Sequence, residues 1–188
     1  MPAGPCGILL AAGASTRFGS DKLLYRLQGG TPIAAAALAN LRAAIPHVIA
    51  VVRPDAAVLQ NLLSEGGATV IHCADADAGM GASLAAGVGA AADASGWVVA
   101  LADMPYIRPE TIEKIAASLS DGAAIAAPAY RGARGHPVGL AARFRAELQA
   151  LHRDEGARAL LQQHAKLIRL IEVDDPGICR DIDTPADL

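Results

Sequence analysis

A chain of 188 residues and 19.1 kDa that is 53% hydrophobic can bury a sizeable core and is too apolar to be disordered; with only 3% aromatics, that core is expected to be Val, Ile, Leu and Ala. The net charge of −3 and pI near 5.9 exclude the broad basic field that long nucleic acid requires, so any phosphate site has to be built locally from a few cations and backbone N–H groups. Cys6, Cys73 and Cys179 form no CxxC pair, which argues against a disulfide framework or structural zinc and for a reducing compartment.

Residues 1–5 lack the basic start and long apolar stretch of a secretion signal, and no apolar run approaches the roughly 20 residues of a membrane span; a cytoplasmic protein is expected. In chain order, Gly7 to Leu10 reads as a strand running into a small-residue loop, Ala11 to Lys22. Thr31 and Pro32 open a helix carrying Ile33, Leu38 and Leu41, with Thr31 as the cap. His47 to Val52 is a second strand. A helix from about Asp55 is expected to bury Val58, Leu59, Leu62 and Leu63 before Gly66-Gly67 ends it. Ala68 to His72 is a third strand, a helix spans about 82–92, and Trp97 to Leu101 is a fourth strand. Pro109 and Glu110 start a helix with Ile112, Ile115 and Leu119. A strand over Ala123 to Ala127, a Gly/Arg-rich turn from Arg131 to Gly135, and the segment Pro137 to Leu140 follow. Helices about 141–151 and 154–164, the second capped by Asp154, precede a last strand over Leu167 to Val173 and a polar tail.

Alternating strands and helices imply one α/β domain over 1–188: a mainly parallel sheet covered on both faces, three layers in all. Ligands of such sheets bind beyond the carboxyl ends of the strands where the order reverses, which singles out the residues after Leu10, Leu101 and Val173.

The first loop, Leu10-Ala11-Ala12-Gly13-Ala14-Ser15-Thr16-Arg17-Phe18-Gly19-Ser20-Asp21-Lys22, lets backbone approach a ligand closely, while Arg17 and Lys22 can offset a polyphosphate. An ordinary glycine turn with two solvated cations would look the same. A dinucleotide fingerprint would need Gly at Ser15, and a P-loop would need four residues between its glycines rather than the five here. Asp103, in Asp103-Met104-Pro105, sits where a carboxylate could hold magnesium beside phosphates, or could simply bond nearby turn N–H groups.

This loop resembles the L-A-A-G-x-S-x-R-x-G-x-x-K signature of the Rossmann-like nucleotidyltransferases at every fixed position, and Asp-Met-Pro resembles that family's magnesium site. The resemblance implies a three-layer α/β/α fold of the nucleotide-diphospho-sugar transferase type. It also implies that Leu10, Ala11, Ala12 and Gly13 hug the nucleotide, that Arg17 meets its phosphates, and that Lys22 reaches the phosphate under attack. Gly79 to Gly87 is similar to the family's segment ahead of a nucleotide-side helix, where Ser83 would help hold the base; a capped, alanine-rich helix start is the simpler account. Gly135-His136-Pro137-Val138 and Asp181-Ile182-Asp183-Thr184-Pro185 resemble the G-H-P-[VI] turn and closing D-I-D-T-P of molybdenum-cofactor cytidylyltransferases. Asp154 to Arg158 resembles their D-x-G-x-R helix start. The similarity extends from residue 7 to residue 187.

What that membership implies is transfer of CMP from CTP to the phosphate of molybdopterin, with release of pyrophosphate and with Mg2+, or Mn2+ in its place, held by Asp103 with Asp181 or Asp183. Lys22, Arg17 and Asp103 would be catalytic. His136 and Arg158 would line the acceptor side, although a structural histidine and a surface cation are the plainer readings of these two. Implied partners are CTP (or GTP), a molybdopterin-type acceptor and a recipient molybdoenzyme, with neither nucleic acid nor membrane. Ala12 and the aspartates of the closing motif favour cytidine over guanosine; Phe18, where cytidylyl members carry Met, is a departure. The rivals are a guanylyltransferase of the same pathway, a cytidylyltransferase for an isoprenoid or sugar phosphate, and a non-catalytic carrier of the finished cofactor. A dinucleotide-dependent oxidoreductase conflicts with Ser15.

Overall fold

The computed structural model describes residues 4–13, 22–152 and 157–187. Among these residues eight strands form one sheet: β1 (Cys6–Leu10), β2 (Val48–Val52), β3 (Thr69–His72), β4 (Gly96–Leu101), β5 (Ile125–Tyr130), β6 (Ala133–Arg134), β7 (Val138–Ala141) and β8 (Ile168–Glu172). The order is β3-β2-β1-β4-β7-β5-β6, with β8 on the other edge of β5. Strands β3, β2, β1 and β4 are mutually parallel, as are β5 and β8, whereas β7 runs antiparallel between β4 and β5. The mainly parallel sheet expected from the alternating pattern is therefore present.

The helices are α1 (Ile33–Ala44), α2 (Ala57–Glu65), α3 (Met80–Ala90), α4 (Pro109–Ser120), α5 (Arg145–Gln149) and α6 (Arg158–Gln163). Strand alternation divides the core in two: Leu9, Val98 and Ala100 pack with α1, α2 and α4, while Ile8, Leu10, Trp97 and Val99 pack with α3, α5 and α6. Continuous apolar runs such as Val48-Ile49-Ala50-Val51-Val52 suit strands buried on both faces, which is why β1, β2 and β4 show no polar alternation.

Several local expectations are corrected. Thr31 does not cap α1; Pro32 occupies that position without a side-chain cap bond, and the Thr31 carbonyl instead accepts the Leu27 N–H (2.9 Å). Val58 is 66% exposed because α2 turns only Leu59 and Leu63 fully inward. The helix expected over 141–151 is a 3-10 turn (Ala142–Phe144) followed by the short α5. The cap expected at Asp154 lies outside the described residues.

Order reversal occurs at β1: the chain moves outward through β2 and β3, then returns to the other side of β1 as β4. The crevice thus opens above Leu10 and Leu101, which are register partners. Because β7 is antiparallel to β4, with Val138 opposite Val99, its start brings the preceding turn to the same rim.

Candidate active site

Beyond Leu10, the Ala11 N–H donates to the Val51 carbonyl (2.9 Å), and the Ala102 N–H donates to the Leu10 carbonyl (3.1 Å). These bonds extend the sheet by one residue and fix where each loop departs. Above them lies a cavity of about 310 Å³, lined by Leu10, Ala11, Ala12 and Gly13 of the first loop, by Gly79, Met80 and Ser83 at the α3 start, and by Lys22 and Asp103. Among the described residues, none approaches the space next to the Gly13 Cα, so its backbone can face a ligand directly. Ser83 is buried. Asp77 at the lip is held by Arg53 from just past β2 (2.6 Å), and that guanidinium holds the Asp77 carboxyl below its usual range.

The buried Lys22 donates through Nζ to Asp103 Oδ2 (2.9 Å) and to Asp183 Oδ1 (3.1 Å). Burial opposes the Lys22 charge, but the hydrogen bonds and charges of Asp103 and Asp183 outweigh it and raise its pKa. Lys22 is an ammonium at neutral pH. Asp103 is anchored from two sides: the Ile182 N–H donates to its carbonyl (3.0 Å), and Asn40 of α1 holds the nearby Pro105 carbonyl (2.9 Å). Among the described residues, Asp103 Oδ1 is buried and has no hydrogen-bond partner.

The carboxyl-terminal strap, residues 176–187, carries Asp183 into this position. Asp187 Oδ2 accepts from the Asp183 N–H (3.1 Å), the Thr184 N–H (2.7 Å) and the Thr184 hydroxyl (2.9 Å), which closes the strap's final turn. His136 follows β6, and its N–H donates to the Ile178 carbonyl (2.9 Å). Burial lowers the His136 pKa, helped by Arg134 and opposed by the charges of Asp103 and Asp181. The imidazole is neutral near pH 7, and its Nδ1 is buried without a partner among the described residues.

The structure therefore gathers Leu10, Ala11, Ala12, Gly13, Lys22, Ser83, Asp103 and Asp183, with His136 close enough to Asp103 to feel its charge. Asp181 is exposed, and Arg158 is exposed at the first residue of α6; neither lines the cavity. Arg17 lies outside the described residues. Gly79 and Met80, from the segment singled out in the sequence, line the cavity with Ser83; unforeseen from sequence are the cavity-lining Asp77 and the buried Asp175. The Asp-Pro-Gly turn at 175–177 was the available signal for Asp175.

An arrangement of small-residue backbone, one buried ammonium and two carboxylates suits a polyphosphate with its cation. A hard divalent ion takes one or two carboxylates, with phosphate and water oxygens completing its shell. The orphaned Asp103 Oδ1 and the half-exposed Asp183 provide that donor set, although among the described residues no three His, Cys, Asp or Glu side chains cluster as a self-sufficient metal site. Among these residues, no helix is long and apolar enough to cross a membrane.

Residues 7–167 match the family described as the MobA-like NTP transferase domain. The chain is 32% identical to the nicotine blue oxidoreductase of Paenarthrobacter nicotinovorans (96% of this chain, 93% of that one) and 30% identical to the purine catabolism protein PucB of Bacillus subtilis (96% and 92%). The crystal structure of Rv0371c from Mycobacterium tuberculosis superposes with a TM-score of 0.87 at 28% identity, covering 100% of this chain and 96% of that one. Its manganese complex superposes at 0.78 with 25% identity, covering 98% and 96%.

Proposed function

The chain belongs to the MobA-like NTP transferase domain family and is a nucleotidyltransferase, and from that premise we propose that it moves CMP from CTP onto the phosphate of a molybdopterin-type acceptor. The acceptor's phosphate oxygen attacks the α-phosphorus, a new P–O–P bond forms, and the α–β bridge breaks to release pyrophosphate. A phosphate dianion is already nucleophilic, so the site needs no general base; rate comes from positioning and charge stabilisation. The observation that carries this reading is the Lys22 ammonium held between Asp103 and Asp183, with Lys22 and Asp103 lining the cavity.

In this mechanism Ala11 to Gly13 bring backbone to the nucleotide, and Ser83 meets the base from α3. Lys22 turns toward the α-phosphoryl oxygens and offsets the charge that builds there, while Arg17 meets the departing pyrophosphate. Asp103 and Asp183 would hold Mg2+ or Mn2+, which would supply charge neutralisation along the phosphates. Asp181, exposed on the strap, is the weaker candidate ligand of the two aspartates in that segment. His136, neutral and beside Asp103, lines the acceptor side. Cytidine over guanosine is supported by Ala12 and by the aspartates of Asp181-Ile182-Asp183.

The test is pyrophosphate release from CTP, GTP, ATP and UTP, each with the molybdenum pterin and Mg2+. CTP-dependent release that falls about 10²–10³-fold in Lys22→Ala and Asp103→Ala is expected. Release with GTP alone would replace cytidylyl with guanylyl transfer. Because one relative bears an oxidoreductase name, a parallel arm supplies NADH or NADPH with a redox dye as acceptor; their oxidation there, with no pyrophosphate released from any of the four triphosphates, overturns the proposal.

A further inference from the structure

Asp175 lies outside the cavity and takes no part in the steps above, yet it is the one buried carboxylate among the described residues, at 2% exposure. A carboxylate so placed is costly unless donors surround it. Here Oδ2 accepts from the Arg108 N–H (2.9 Å) and the Thr111 hydroxyl (2.7 Å), while Oδ1 accepts from the Gly177 N–H (3.0 Å). Arg108 and Thr111 belong to the start of α4, directly after the loop that carries Asp103. Gly177 lies at the start of the strap that carries Asp183. The Arg108 guanidinium also donates to the Asp174 carbonyl (2.9 Å), so two consecutive residues just past β8 are fastened to the same helix start.

Beyond that joint the strap lies along the Asp103 loop. Gly177 meets the Tyr106 carbonyl so closely that a Cβ would overlap it, and the Arg180 guanidinium sits 4.2 Å over the Tyr106 ring. The Ile182 N–H reaches the Asp103 carbonyl (3.0 Å), and the next residue gives Lys22 its second carboxylate (3.1 Å). We propose that Asp175 is a positioning residue for nucleotidyl transfer: it fixes the strap to the start of α4 so that Asp183 joins Asp103 in the acidic pair that takes the nucleotide's divalent cation. The inference rests on the role given above to that pair.

Amide exchange followed by NMR on the full chain without ligand tests the placement. Asp175→Ala should speed exchange at Ile182 and Asp183 by about tenfold or more while β1 and β4 keep their protection. Thr111→Val, which removes one of the three donors and leaves the carboxylate, should give a smaller change in the same residues. Unchanged exchange over 178–183, or equal acceleration throughout the sheet, overturns the proposal. A double-mutant cycle tests the consequence, read as Mn2+ affinity in the presence of CTP by electron paramagnetic resonance. Asp175→Ala should weaken Mn2+ by about tenfold in the natural chain, the range typical of residues that orient metal ligands, and by nothing further in an Asp183→Asn background. Losses that multiply would show that Asp175 acts independently of Asp183 and would overturn the inference. If the natural chain takes no Mn2+ with CTP, GTP, ATP or UTP, the proposed function falls, and the exchange pattern alone decides whether Asp175 places the strap.

Discussion

Replacing Lys22 by Met should make the ligand-free protein bind Mn2+ more tightly even as it loses turnover. The ammonium and a divalent cation compete for the same oxygens, since Nζ lies 2.9 Å from Asp103 and 3.1 Å from Asp183. A hydrogen bond to a charged group contributes about 1.5–3 kcal/mol. The Asp183 side chain is 49% exposed, against 24% for Asp103, so its arm is screened and counts for much less. A net competition of about 2 kcal/mol corresponds to an affinity gain of about 30-fold. Methionine keeps the length and apolar stem of lysine, which preserves the packing of this buried side chain. Free Mn2+ titrated by electron paramagnetic resonance, with no nucleotide present, gives both constants directly. Equal or weaker binding by Lys22→Met would mean that the two cations do not share a site, and the assignment of Asp103 and Asp183 would fail with it.

Gly177→Ala should cost about 1–3 kcal/mol in urea unfolding, because the new methyl group meets the Tyr106 carbonyl and the strap must shift. Leu59→Ala, at 1% exposure, should cost about 2–4 kcal/mol, whereas Val58→Asp on the same helix at 66% exposure should stay within about 0.5 kcal/mol; equal costs would contradict the orientation of α2. His136 has a lowered pKa in the folded state, so the unfolded chain binds the extra proton, and folding stability from this group is present above the ordinary histidine range and lost as pH falls through it. His136→Asn should therefore flatten the dependence of the urea midpoint between about pH 5 and 7; an unchanged slope would show that the imidazole charges freely in the fold. Lys22 behaves oppositely: its raised pKa preserves its ion pairs through neutral pH, and they are lost only above the ordinary lysine range.

Much of this molecule could be read from the chain because its strands are continuous apolar runs bounded by Gly, Pro and polar residues. Strand β1, β2 and β4 and the start of α4 at Pro109 were legible for that reason. The meeting of Lys22 and Asp103 at the rim was legible because both follow strands of a parallel sheet, whose carboxyl ends share one side. What was hidden is side-chain direction and long-range pairing. Val58 and Leu59 are both apolar, and only the pitch of α2 against the sheet decides that one is exposed. Nothing local announces that β7 enters between β4 and β5 in the opposite sense, since strand order is a property of the whole sheet. The Asp-Pro-Gly turn marks Asp175 only as a turn residue; its burial was hidden because two of its three donors, Arg108 and Thr111, lie more than sixty residues earlier.

The reversed strand β7 has a bearing on how such a scaffold can diversify. Parallel neighbours deliver only their ends to a crevice, each followed by a crossover, but an antiparallel insert delivers its beginning, so the short ribbon of β5, β6 and β7 folds back to the rim on its own. The loop at Ala11–Gly13 and the turn at His136 thereby reach the rim from strands on opposite sides of β4. If the turn faces the acceptor as proposed, exchanging residues 131–137 between relatives should change acceptor use and leave nucleotide use untouched.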